Sequence, residues 1–193
     1  MVRRGIPNKK RPLIVICTEG GNNSLESQYL STFSNRNFRF SFCTGNNTDV
    51  EGMYKNLCNH LKKEDIKHED NCRIFLILDT DLSSERINQI KEIESKCKNK
   101  KIEIITSSPT FEIWFLMHFR NSNLTFESSE KVKKEYKKLR EKTPNFKELL
   151  FSNQSKAIKF AKRIENNSDN DYYTKNPHSS FYKIIELIKS FSI

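Results

Sequence analysis

Between Leu13 and Thr106, four short runs rich in β-branched and aromatic residues alternate with three stretches whose apolar residues recur at helical spacing. No other feature limits the fold as strongly, because alternating strand and helix signals over about ninety residues describe strands joined by crossover helices, an α/β class with a mostly parallel sheet. The strand candidates are Leu13–Cys17, Arg39–Thr44, Arg73–Leu78 and Ile102–Thr106. Arg73–Leu78 is apolar at successive positions, as expected of a central strand buried on both faces. The helix candidates are Ser24–Asn35 (Leu25, Tyr29, Leu30, Phe33), Asp49–Lys63 (Val50, Met53, Tyr54, Leu57, Leu61) and Ser84–Lys98 (Ile87, Ile90, Ile93, Cys97). Ser24, and Thr48 or Asp49, stand where N-caps belong.

After Pro109 the strand signals stop. The spacing predicts helices over Phe111–Phe119, Ser128–Lys142, Gln154–Asn166 and Pro177–Phe191, the last capped by Asn176 with Pro177 in its first turn, and a polar loop over Asn167–Tyr173. Phe111, Trp114 and Phe115 read as core by their spacing, and His118 as a packing or capping residue. The expected organisation is a flexible basic arm over residues 1–12, a four-stranded α/β core over 13–120 with flanking helices, and a helical extension over 121–193 packed on that core.

Composition removes several classes. Five Gly, five Pro and 35% hydrophobic residues with 14 Phe exclude collagen-like and disordered chains and supply one real core. No apolar run approaches the ~18 residues that span a bilayer, and Met1-Val2-Arg3-Arg4 does not open a signal peptide. Five cysteines with no C-x-x-C spacing form neither a disulfide framework nor a zinc site, so a cytoplasmic protein with reduced thiols and no membrane partner is expected. The net charge of +10 favours a nucleic-acid partner; a Lys- and Asn-rich proteome would colour the surface in the same way.

Ligands of parallel sheets bind beyond the carboxyl ends of the strands. There the sequence puts Glu19 after the first strand, Asp79 and Asp81 after the third, and Ser107-Ser108-Pro109 with Glu112 after the fourth. On an extended segment Asp79 and Asp81 face the same side. Together with Glu19 they make a hard-oxygen donor set suited to Mg²⁺ or Mn²⁺, while Asp as a turn or cap residue is the plain alternative. Glu112 is either a further catalytic carboxylate or a helix N-terminal acid, and Glu26 either caps or pairs. Ser107 and Ser108, ahead of a helix N-terminus, are candidate phosphate receivers. Lys133, Lys134, Lys137, Lys138 and Arg140 are a candidate track for a phosphate backbone, or a solvated helix face.

Glu at the first strand end with a later D-x-D resembles the Toprim arrangement of topoisomerases, primases and OLD-type nucleases. The whole chain is more specifically similar to the RloB-like family of prokaryotic proteins. The resemblance is carried by Leu13 to Gly20, Glu26 with Tyr29, Asp79-Thr80-Asp81, and the run Ser107-Ser108-Pro109-Thr110-Phe111-Glu112-Ile113-Trp114-Phe115-Leu116-Met117-His118-Phe119, like that family's S-N-P-x-F-E-x-W-x-L-x-H-F block. Asn176-Pro177-His178-Ser179-Ser180 also matches. Leu82-Ser83-Ser84 follows the D-x-D where the family often has another Asp, so the number of cations stays open. The resemblance implies a Toprim-like (Rossmann-like) fold and a Mg²⁺-dependent nuclease of antiviral, abortive-infection defence. It implies Glu19, Asp79, Asp81 and Glu112 as catalytic residues, the first three of them as metal ligands, and RNA or DNA and other defence-system proteins as candidate partners. A catalytically silent Toprim-like module that binds nucleic acid or protein is the alternative, and self-association is not derivable. A dehalogenase-type phosphatase would leave Glu19 unused, and the absence of G-x-x-x-x-G-K-[ST] and G-x-G-x-x-G disfavours kinases and NTPases.

Overall fold

Leu13–Cys17 forms the first strand, β1, and its side chains divide by parity: Ile14 and Ile16 enter one apolar cluster, Val15 and Cys17 another. Strand β3 (Cys72–Asp79) repeats the division, with Phe75 and Ile77 on the first side and Ile74, Leu76 and Leu78 on the second. A period of two with apolar residues at both parities requires a layer of helices on each face. In the computed structural model, which describes residues 11–45, 47–67, 71–120, 125–166 and 172–191, those layers are present. The expected basic arm lies outside the described residues except for Arg11 and Pro12, as does most of the expected 167–173 loop.

β1 pairs in parallel with β2 (Arg39–Phe42) and with β3, and β3 pairs in parallel with β4 (Ile102–Ser108). Helices α2 (Val50–Lys63) and α3 (Ser84–Asn99) cover the second face. The first face is covered by α1 (Leu25–Ser31), α4 (Glu112–Phe119), α5 (Ser129–Lys142), α6 (Phe146–Ser152), α7 (Gln154–Asn166) and α8 (Tyr182–Ser190), which completes eight α-helices among the described residues. One apolar cluster therefore joins residues of both halves, from Ile14 to Ile188. The two layers differ in kind. Trp114 and most of the phenylalanines lie in the first, while Cys17, Cys43, Cys58, Cys72 and Cys97, none of them in a disulfide, lie in the second.

Local chemistry starts the helices where expected. Ser24 Oγ accepts from the Ser27 amide, an Asp49 carboxylate oxygen from the Gly52 amide at 2.6 Å, and Ser128 Oγ from the Lys131 amide at 3.3 Å.

The sheet corrects the expectation of four strands, and the last helix is shorter than expected. His178–Ser179 forms a fifth strand, β5, antiparallel to β4, giving the order β2-β1-β3-β4-β5. The predicted helix over Pro177–Phe191 begins only at Tyr182. Asn176 does not cap it, because its side-chain amide exchanges hydrogen bonds with the Phe126 backbone instead. The cause is the open edge of β4, whose buried backbone groups need partners. Ser180 N–H donates to the Thr106 carbonyl at 2.9 Å, and Ser180 Oγ accepts from the Thr106 amide at 2.8 Å. Helix α6 was not expected; it begins after Asn145, which takes φ = 55°.

His118 is fully buried on α4, with Nδ1 2.8 Å from the Trp114 carbonyl and no partner at Nε2. Burial lowers its pKa from 6.5 to about 4. The folded state thus refuses a proton that the unfolded chain takes up, so this contribution to stability is intact above pH 6.5 and is lost as pH falls toward 4. In urea unfolding from pH 7 to pH 4, His118→Gln is expected to flatten the wild-type loss of stability by about 3 kcal/mol. Equal slopes for the two proteins would show that His118 is protonated in the fold.

Candidate carboxylate site

The chain leaves β1 toward β2 on one side and leaves β3 toward β4 on the other, so the strand order reverses between β1 and β3. At such a switch point the loops after adjacent strands part and open a crevice at the carboxyl edge. Glu19 follows β1, Asp79 ends β3 and Asp81 follows it, so two separate strand ends put their acids beside this crevice. The turn after β1 depends on Gly21 at φ = +54°, where an added Cβ would meet the carbonyls of Cys43 and Gly45 at 3.2 Å.

Asp79 ends β3, and its two carboxyl oxygens differ. Oδ2 accepts from Thr110 Oγ1 at 2.8 Å, whereas Oδ1 is buried without a partner. Burial raises the Asp79 pKa well above its ordinary value; the charges of Glu26, Asp81 and Glu112 raise it further, and the Thr110 hydroxyl opposes them. Thr110 Oγ1 is also 2.7 Å from Glu112 Oε2. A hydroxyl has one hydrogen, so both contacts are satisfied only when one of the two carboxyls carries a proton and donates it to Thr110. Glu26, on the first turn of α1, is likewise raised by burial and by Glu112, with Lys133 of α5 acting against the shift.

The D-x-D segment is not extended as expected. β3 stops at Asp79, and Asp81 and Leu82 take φ = 51° and 56°, a turn of two successive left-handed residues. Neither is glycine, and such residues cost of order 1–2 kcal/mol each. The turn is held by the Asp81 amide donating to the Pro109 carbonyl at 2.9 Å and by Ser129 Oγ donating to Asp81 Oδ1 at 2.8 Å. Asp79 and Asp81 are neighbours through this turn rather than through strand alternation.

Glu19 is held by Arg86, whose guanidinium forms an ion pair with its carboxylate. Arg86 Nε also donates to the Asp79 carbonyl at 2.6 Å and lies 3.7 Å from Asp81 Oδ2, and Nη1 donates to the Thr48 carbonyl at 2.9 Å. Arg86 therefore links the β1 and β3 loops as the cation already resident between them.

Of the residues singled out in the sequence, Asp79, Asp81 and Glu112 come together, and Glu19 joins them through Arg86. Ser107 and Ser108 do not lie in the loop ahead of a helix where phosphate receivers were expected. Both are buried within β4, paired with β5, and Ser107 Oγ is 2.9 Å from Ser179 Oγ. Lys133, Lys134, Lys137, Lys138 and Arg140 are exposed on α5, with Lys133 turned toward Glu26. Sequence reasoning gave no role to Arg86, Thr110 or Ser129 and only a minor one to Glu26. The i, i+3 spacing of Glu26 and Tyr29 was the available signal for Glu26, while Arg86 gave none. Among the described residues, no three His, Cys, Asp or Glu side chains are arranged as a ready cation cage. The donor set itself fits a hard divalent ion: all oxygen, one buried oxygen unpartnered, and a central Asp79 whose pKa burial and then the neighbouring carboxylates raise.

A family model described as RloB-like protein matches residues 14–188. Comparison with curated proteins and with solved structures gives no match.

The crowded carboxyl of Asp79 predicts a stabilising substitution. Folding raises its pKa above 3.8, so the stabilising protonated form is full below that value and lost as pH rises through the folded pKa. In chelator at pH 7, Asp79→Asn is expected to raise the thermal midpoint by a few degrees, about 2–4 °C per kcal/mol for a chain of this size. The advantage should vanish in acid. A lowered midpoint at pH 7 would mean that the carboxylate is compensated in the fold.

Proposed function

Because the chain belongs to the RloB-like family, we propose that it is a divalent-metal-dependent nuclease, hydrolysing phosphodiester bonds of RNA or DNA in antiviral, abortive-infection defence. The observation that carries this reading is the buried, unpartnered Oδ1 of Asp79 among Glu26, Asp81 and Glu112. A fold that crowds carboxyls at a strand-end crevice keeps a cost that a bound cation would remove. The Toprim-like reading of the fold rests on the same placement, Glu19 after β1 with Asp79 and Asp81 after β3.

Asp79 and Asp81 would hold Mg²⁺ or Mn²⁺, with Glu19 as a further ligand, and the bound ion would supply charge neutralisation at a non-bridging phosphate oxygen. The remaining roles belong to the chain. Thr110 and Glu112 fix the orientation of Asp79, and Ser129 fixes that of Asp81. Glu19, once released from Arg86, is either that ligand or the base that takes a proton from the attacking water. In the same exchange Arg86 would lose only its Glu19 contact and could turn that nitrogen to phosphate, its other bonds still holding it. Lys133 and the exposed cations of α5 guide the polyanion without reading its sequence.

A catalytically silent module that binds nucleic acid or protein is the second reading. The ion pair that already neutralises Glu19 favours it.

Purified protein incubated with Mg²⁺ or Mn²⁺ and labelled RNA, single-stranded DNA or duplex DNA decides between them. The nuclease is expected to cleave only with added cation, and Asp79→Ala to reduce cleavage at least about 10²-fold, the scale of losing a group that stabilises transition-state charge. Cation-independent binding without cleavage of any of the three substrates would establish the silent module.

A further inference from the structure

An apolar recess on the first face lies between α1, α4, α5 and α6, a cavity of about 520 Å³ walled by the rings of Tyr29, Phe115, Tyr136, Phe146 and Phe151. Three of its helices also carry the carboxylate site. Glu26 and Tyr29 are one turn apart on α1, Glu112 and Phe115 on α4, and α5 runs from Ser129 and Lys133 to Tyr136 and Arg140. One helical turn is about 5.4 Å, and the Tyr136 pKa is raised by burial and, in smaller part, by the charge of Glu112. Site and cavity are thus neighbours along every helix that they share.

The chemistry of the cavity is specific. Phe115 and Tyr136 are stacked at 5.1 Å and 21°, so a flat aromatic wall is already built. Leu149 and Phe151, 37% and 46% exposed, are the exposed large hydrophobics among the described residues; both lie on α6, and Phe151 lines this recess. Two exposed cations, Arg140 and Lys147, outnumber the one acid, Glu148, among its lining residues, and Gln28 and Asn145 bring amide groups able to meet a base edge. A flat, apolar ligand that carries anionic charge satisfies all of these features together. A second copy of this chain does not, since its net charge of +10 would set like charge against like.

We propose that this cavity takes an unstacked base of single-stranded nucleic acid, stacked against Tyr136 and Phe151, with its backbone passing Arg140 toward the carboxylate site. The inference deepens the nuclease reading and rests on it for the direction of the strand. A cavity of this size admits one or two bases and no duplex, so the ligand enters from a single strand or an unpaired loop. Base stacking on aromatic side chains tolerates any sequence, so recognition is by strandedness.

Fluorescence anisotropy in EDTA separates this inference from catalysis. Three labelled probes are compared: oligo(dT), an abasic strand of the same length and charge, and a duplex. The intact protein is expected to bind oligo(dT) about tenfold more tightly than the abasic probe, the scale of one stacked base. Phe151→Ala and Tyr136→Leu should each erase most of that difference while leaving abasic binding unchanged; Phe151, on the surface, is the change that the fold tolerates most easily. Equal binding of the first two probes, or equal weakening of both by the variants, would overturn the base pocket, as would Phe151→Ala dissociating a dimer without changing oligo(dT) affinity. Base discrimination without cleavage in Mg²⁺ or Mn²⁺ would sink the nuclease reading alone. Cleavage without base discrimination would sink the pocket alone.

Discussion

The carboxyl of Asp79 is the constraint around which the rest of the site is arranged. It ends the central strand β3, where backbone hydrogen bonds to β4 allow it little freedom, and it is surrounded by other acids. Each neighbouring element answers that crowding differently. The loop before α4 brings the Thr110 hydroxyl, α5 brings Lys133 and Ser129, and α3 brings Arg86. None of these places a full positive charge against Asp79 Oδ1, so the centre remains short of cation while its periphery is paired.

Much of the fold was legible because the two core-facing periods are clean. Strands β1 and β3 are apolar at both parities, and the stripes of α2 and α3 are uninterrupted, so a parallel sheet with crossover helices follows from pattern alone. The errors have one physical origin, backbone demand that pattern does not record. β5 is two residues long and exists because β4 needs an edge partner, which is why Pro177 to Ser180 read as the beginning of a helix. Asp79-Thr80-Asp81 reads as extended because nothing in the sequence marks Asp81 and Leu82 for left-handed backbone; tertiary bonds to Pro109 and Ser129 hold them there.

The site shows the same split. The acids at strand ends could be found by asking which residues follow apolar runs, since topology then carries them to one edge. Ser107 and Ser108 met the same criterion but lie inside the sheet, because strand β4 continues through them. Arg86 was invisible for the opposite reason. It sits on the first turn of a helix whose own pattern gives it no role, and only the packing of α3 beside the two loops turns it toward Glu19.

The separation of the interior into an aromatic layer and a thiol layer gives the molecule two built-in reporters. Its single tryptophan sits in the layer that bears the candidate site, and its five cysteines sit in the other. Indole emission and the rate of thiol alkylation therefore follow opposite sides of one sheet, with half-buried Cys58 and Cys72 answering before Cys17, Cys43 and Cys97. Followed through denaturant without any added label on the site, the pair tells whether the two sides loosen in one step or in succession.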